Sequence, residues 1–192
     1  MKKMAMIMAC IILAVSITSC RKNESFPEWV QFYSFEGIQE YVSSVNWRTR
    51  TYKYDASRST YNVYQEISYS QARKSVKDIT KTVIPRVKEN VEIESFSASY
   101  YMGYQKPFQI KYQIDGHLFV FTYSYKLDDS QYSGELVYSS KIGSSTLKLY
   151  RKNYDILIGV VKIGKTQILV EVYSDNYRTV HMDYFDYIKI SK

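Results

Sequence analysis

Two histidines, nineteen carboxylates, two cysteines and twenty-one tyrosines are the side chains of this 192-residue chain from which chemistry could be assembled. His181 and Asp183 stand two residues apart in Val180-His181-Met182-Asp183, a spacing that places both on one face of a strand. Such a pair can tune a general base or join further ligands around a metal, and it is equally well satisfied as a solvated surface pair. His117 follows Asp115-Gly116 and reads as a solvent-facing turn residue. Neither histidine belongs to an H-x-x-x-H or H-E-x-x-H arrangement. Glu92 with Glu94, Asp128 with Asp129, or Asp183 with Asp186 could supply an acid and a base, but spacing along the chain does not give the through-space separation of carboxyl groups that glycoside hydrolysis needs. Asp128-Asp129 reads as the start of a turn before Gly134, with too few ordered oxygen ligands for calcium. G-x-S-x-G, P-loop and G-x-G-x-x-G patterns are missing, so no catalytic residue, metal or cofactor is expected.

Tyrosine offers a different chemistry, recognition without reaction. Its ring presents a large flat area, loses little entropy on ordering and keeps one hydroxyl for a hydrogen bond. Tyr100, Tyr101 and Tyr104, and Tyr123, Tyr125 and Tyr132, form the candidate surface for sugar rings or a peptide. The same residues would also suit a half-exposed pleated sheet.

The first twenty residues carry the clearest signal. Lys2 and Lys3 precede an uncharged, mostly apolar run from Met4 to Ile17, 14 residues long, whereas a membrane-spanning helix needs roughly 20. This three-part layout suits a secretory leader. It ends on Ile17-Thr18-Ser19-Cys20, which resembles the lipobox of bacterial lipoproteins. The resemblance implies diacylglycerol on Cys20, removal of residues 1–19, acylation of the new amino group and a lipid tether over 20–25. Arg21 stands where aspartate often signals inner-membrane retention, so the resemblance favours the outer membrane of the cell envelope. An ordinary leader cut near Ser19 would instead leave Cys20 as a lone thiol in an oxidising compartment.

Cys10 lies within the leader, so lipidation of Cys20 would leave the mature domain with neither disulfide nor thiol. Stability must then come from a core, for which 45% apolar composition is enough in one domain over 26–192. The net charge of +7 includes Lys2 and Lys3, and the rest is dispersed in short pairs such as Arg151-Lys152. Nucleic-acid binding calls for a denser basic stripe, so no nucleic-acid partner is expected. Anionic lipid headgroups or acidic glycans are the more natural use of the excess.

Ser25-Phe26-Pro27-Glu28 fits a capping box and Ser34 a second helix start, with Phe35, Ile38, Val42 and Val45 on one face, so 26–46 reads as one or two short helices. Arg48 to Tyr69 suggests two strands around the polar stretch Asp55 to Thr60, carrying Thr49, Thr51, Tyr61, Val63, Ile67 and Tyr69. Ser70 is placed to cap a helix in which Ala72, Val76, Ile79, Val83 and Val87 share a face, running from Gln71 to at least Thr82 before Pro85 stops or kinks it. From Val91 a two-residue period dominates. It predicts strands at Phe96–Tyr100, Phe108–Ile114 and Phe119–Tyr125, then at 136–140, 147–150, 156–163, 168–173 and 179–190, with tight turns at Asp115-Gly116 and Gly164-Lys165. The fold expected is α+β: N-terminal helices packed on one face of a mostly antiparallel meander sheet.

The function expected is a noncatalytic envelope module, held to the membrane by its N-terminal lipid and binding a protein, peptide or glycan. A structural, assembly or inhibitor (immunity-type) lipoprotein is the second expectation, and a small envelope hydrolase the third. Intact-mass analysis of protein extracted from bacterial membranes should find a species starting at Cys20 and heavier by its acyl groups, lost in Cys20→Ala. An unmodified soluble species from both would refute the anchor.

Overall fold

The structure, a computed structural model, describes residues 29–48, 61–62, 68–102, 108–124 and 134–192. The leader, Cys20 and the capping box at Ser25 lie outside these residues. The chain runs β1 (Trp29–Phe32), α1 (Phe35–Ser44), β2 (Tyr61–Asn62), α2 (Tyr69–Ile79), β3 (Val83–Val87), β4 (Ser95–Tyr101), β5 (Phe108–Ile114), β6 (His117–Ser124), β7 (Leu136–Ile142), β8 (Ser145–Asn153), β9 (Ile156–Ile163), β10 (Thr166–Tyr173) and β11 (Phe185–Lys189).

Among the described residues nine strands form one sheet in the order β2-β1-β4-β5-β6-β10-β9-β8-β7, and β3 pairs with β11 in a second, two-stranded sheet. Every described pairing is antiparallel. The large sheet joins two meanders, β4-β5-β6 and β7-β8-β9-β10, through the pairing of β6 with β10.

Cross-strand register explains the core. Phe32 lies opposite Ala98, Ala98 opposite Ile110, Ile110 opposite Phe121, Phe121 opposite Val170, and Val170 opposite Gly159. Residues two positions away repeat the pattern, so one face is apolar across six strands. Phe185 of β11 lies against it, 5.2 Å from the Phe119 ring and 5.0 Å from Phe121. Tyr112 donates its hydroxyl to the Pro85 carbonyl at 2.7 Å, tying β3 to β5. The opposite face is polar on β4 and β5, where Ser97, Ser99, Gln109, Lys111 and Gln113 point outward. Further along it Val120, Ile158 and Leu169 are buried, which accounts for the unbroken apolar runs in β6, β9 and β10.

The helices begin where local chemistry allows. Ser34 caps α1 by accepting the Gly37 N–H at 2.9 Å, as expected. Ser68, not Ser70, caps α2, and Gln71 completes the capping box by accepting the Ser68 N–H. The Tyr41 hydroxyl donates to Ser75 Oγ between the helices, since Ser75 spends its own proton on the Ala72 carbonyl. Side chains of both helices belong to the same buried cluster as the sheet residues.

Several expectations are corrected. Trp29–Phe32 is a strand rather than helix, because its backbone groups pair with β2 and β4. Of the two strands expected from 48 to 69, only Tyr61–Asn62 is described; Tyr69 is helical, and Thr49, Thr51, Val63 and Ile67 lie outside the described residues. The second helix stops at Ile79, and Val83 and Val87 continue its four-residue spacing only by coincidence, being buried residues of β3. Pro85 is tolerated there, opposite Tyr187 in a two-stranded ladder. The strand expected over 179–190 is confined to 185–189, after 3-10 turns at Tyr177–Thr179 and Met182–Tyr184. The Asp115-Gly116 hairpin forms with φ positive at both residues, as that turn demands.

Gly159 has a different constraint, since a Cβ there would sit 2.0 Å from the Lys148 carbonyl oxygen on β8. Gly159→Ala should therefore destabilise the fold by about 3 kcal/mol, and Ser68→Ala by about 1 kcal/mol. Urea unfolding monitored by circular dichroism checks both, and near-equal midpoints for Gly159→Ala and wild type would contradict the close approach.

Candidate functional site

A cleft of about 900 Å³ opens between the end of α2, the start of β3 and the β9–β10 turn. Its existence follows from the early end of α2. Thr80 and Thr82 close the helix by donating their hydroxyls to the Val76 and Ile79 carbonyls. The chain then turns into β3, leaving Tyr100, Phe108 and Tyr123 to line the cleft with Val83 and Ile163. The Phe108 and Tyr123 rings lie 5.3 Å apart, tilted by 35°.

The rim is charged. Lys81, Lys165 and Lys189 line the cleft, are exposed, and make no ion pair among the described residues. Asp78 is the acidic residue of the lining, and it is already engaged: its carboxylate accepts the Tyr100 hydroxyl at 2.7 Å and lies 3.8 Å from Lys74.

Register brings Tyr100 and Tyr123 of the candidate tyrosine surface to this cleft, since Tyr100 lies opposite Phe108 and Phe108 opposite Tyr123. Both are nearly inaccessible, at 0% and 3% exposure, so their rings serve as walls and not as projecting anchors. Alternation sends Tyr101 to the other face of β4. Tyr104, Tyr125 and Tyr132 lie outside the described residues. The Tyr123 hydroxyl is buried without a hydrogen-bond partner among the described residues, as is that of Tyr187. A buried hydroxyl left in this state costs about 2 kcal/mol. Burial, reinforced by Tyr112 and Tyr187, pushes the Tyr123 phenol well above its ordinary range, so it remains a proton donor.

The other candidate residues gather at the opposite end of β5 and β6 or remain in solvent. His117 is not turn surface: it is 6% exposed, bonds Thr179 Oγ1 through Nε2 at 3.0 Å and meets the Phe119 ring edge-on. As the first residue of β6 it shares the apolar face with Phe119, and the turn ends one position earlier. His181 and Asp183 are exposed, but they flank and enter a 3-10 turn instead of sharing a strand. The His181 ring lies 5.6 Å from that of Tyr184, tilted by 57°, and the Tyr184 hydroxyl donates to Asp115 at 2.6 Å. That hydrogen bond, with lesser help from burial, holds the Tyr184 phenol up at about 12, making it a poor base or nucleophile at neutral pH. Glu94 accepts the Gly116 N–H at 2.7 Å and braces the hairpin. Glu92 and Asp186 are exposed, and Asp128 and Asp129 lie outside the described residues. Among the described residues no group of three or more His, Cys, Asp or Glu could hold a metal.

The lysine rim was not among the candidate residues, although Lys165 stood in an expected turn. Lys81, Lys165 and Lys189 are distant in sequence, and no local pattern links them. Compared with family models, curated proteins and solved structures, the chain matches none.

The buried phenols set an alkaline limit. Burial raises Tyr112, Tyr123 and Tyr187 above the ordinary value of 10.0, so above that pH an unfolded chain loses protons that the folded chain keeps. Their contribution is complete below pH 10 and is lost as pH rises further, so stability should fall steadily on the alkaline side. Tyrosinate absorbance and circular dichroism followed together from roughly pH 9 to 12 should show these phenols ionising only as the fold is lost. Complete titration near pH 10 with the fold intact would contradict their burial.

Proposed function

We propose that this chain is a lipid-anchored envelope protein that binds its partner noncatalytically through the cleft at the end of α2. The observation that carries the reading is the cleft itself: apolar walls from Tyr100, Phe108 and Tyr123 beneath a cationic rim. Its size falls within the range of roughly 300 to 1,000 Å³ usual for small-molecule sites. The anchor rests on the leader and on Cys20 in its lipobox-like setting. Among the described residues no helix is long and apolar enough to cross a membrane. In this reading α1 and α2 cover one face of the sheet, supported by the Phe32–Tyr41 ring contact at 5.3 Å and the Tyr100–Asp78 hydrogen bond.

An assembly role is the second reading, favoured by a different observation. Strand β7 ends the large sheet with no further strand paired to it among the described residues, and its Leu136 is 50% exposed. An edge strand that exposes an apolar side chain suits a protein partner.

Thermal shift with separated envelope fractions (lipids, peptidoglycan fragments and peptides) tests the cleft. At about a hundredfold excess over Kd, a true ligand should raise the wild-type Tm by roughly 5 °C or more. Thr166→Trp, which fills the cleft from β10, should abolish that rise. Equal shifts in both proteins, or none in either, would count against the reading, and a shift by the peptides alone that survives Thr166→Trp would favour the assembly role.

A further inference from the structure

We infer that the cleft takes an amphipathic anion, an apolar chain carrying a carboxylate or phosphate head, with the head at Lys81, Lys165 and Lys189 and the chain against Ile163 and the edge of Val83, over the buried rings of Phe108 and Tyr123. The inference rests on the binding reading above and specifies its ligand.

Charge selects the head. Three lysines contributed by the end of α2, the β9–β10 turn and the end of β11 border one opening, and none has an ion-pair partner among the described residues. Three like charges around one concavity repel one another, and an entering anion relieves that repulsion as well as pairing with them. The lining carboxylate does not cancel them, because Asp78 is held by Tyr100 and Lys74. The carbonyl end of a helix would normally disfavour an anion. Here the last carbonyls of α2 are occupied: Val76 accepts from the Thr80 N–H and hydroxyl, Asp78 from the Lys81 N–H, and Ile79 from the Thr82 N–H and hydroxyl.

The walls select the body. Sugar rings need exposed aromatic faces and many polar partners, whereas Tyr100, Phe108 and Tyr123 are buried and Tyr100 already spends its hydroxyl on Asp78. The apolar lining within reach is aliphatic, from Ile163 and the edge of Val83. Walls of this kind recover free energy mainly by removing an apolar chain from water. A ligand must therefore satisfy two demands at once, apolar burial inside and negative charge at the mouth. Cationic and neutral amphiphiles meet only the first.

The test titrates the full chain, held in zwitterionic nanodiscs with empty discs subtracted, against octanoate, octyl phosphate, octyl glucoside and octyltrimethylammonium. Either or both anions should bind, with the glucoside and the ammonium at least roughly tenfold weaker, and the combined Lys81→Gln, Lys165→Gln and Lys189→Gln variant should lose about tenfold for the anions only. Binding by octyl phosphate alone would point to a phospholipid-type head, and by octanoate alone to a fatty acid. Should the triple variant melt early, Lys165→Glu, a change in an exposed turn, should weaken the same anions. Glucoside or ammonium bound as tightly as the anions, or anion affinity unchanged in the lysine variants, would overturn the anion assignment while leaving the cleft a binding site. If none of the four binds, this inference fails by itself, since the fraction screen with Thr166→Trp judges the cleft independently.

Discussion

One apolar face, continuous across six strands of the large sheet, dictates where the other elements must lie. The row from Phe32 through Ala98, Ile110, Phe121 and Val170 to Gly159 is set by register alone, and a one-residue slip in any strand would turn its apolar set to the other side. Such a face has to be covered. Phe185 meets three of its rings, those of Tyr112, Phe119 and Phe121. Ring contacts of this geometry contribute about 1 kcal/mol each beyond the area they bury. The β3–β11 pair is fixed in turn by the Tyr112 hydroxyl on Pro85.

Incomplete packing beyond α2 creates the cleft. The helix ends at Ile79 with its last carbonyls satisfied, so nothing in its backbone drives it further. Beyond that point Tyr100, Phe108 and Tyr123 stay buried at the edge of the core and floor the cleft that the lysines border. Tyr123 records the same incompleteness, as a phenol kept neutral by burial whose hydroxyl has no partner among the described residues. The far end of the sheet is arranged differently. There the Asp115-Gly116 hairpin is fastened by Glu94 and Tyr184, so its carboxylates brace the fold.

Strong local signals in the sequence correspond to local physical demands. Asp115-Gly116 announced its hairpin because few residue pairs accept positive φ at both positions. Ser34 announced its helix because its hydroxyl can take a free N–H three residues on. Alternation from Phe96 onward announced the strands because a half-buried sheet reads out at period two. The same reasoning failed where two periods coincided. Ala72, Val76, Ile79, Val83 and Val87 keep helical spacing, yet only the first three are helical, since a strand crossing the core can bury residues four apart equally well.

Local spacing was enough for the mainly antiparallel character of the chain, its hairpin turns and the choice of which residues of β4 to β6 share a face. These are consequences of neighbours in the chain, where spacing maps directly onto geometry. Long-range packing settled that β6 pairs with β10, that Trp29–Phe32 extends the sheet, that His117 is buried, and that Lys81, Lys165 and Lys189 border the cavity walled by Tyr100 and Tyr123. Each of those joins residues far apart in sequence, and a contact of that kind is chosen by the competition of whole surfaces for burial, which no local spacing encodes.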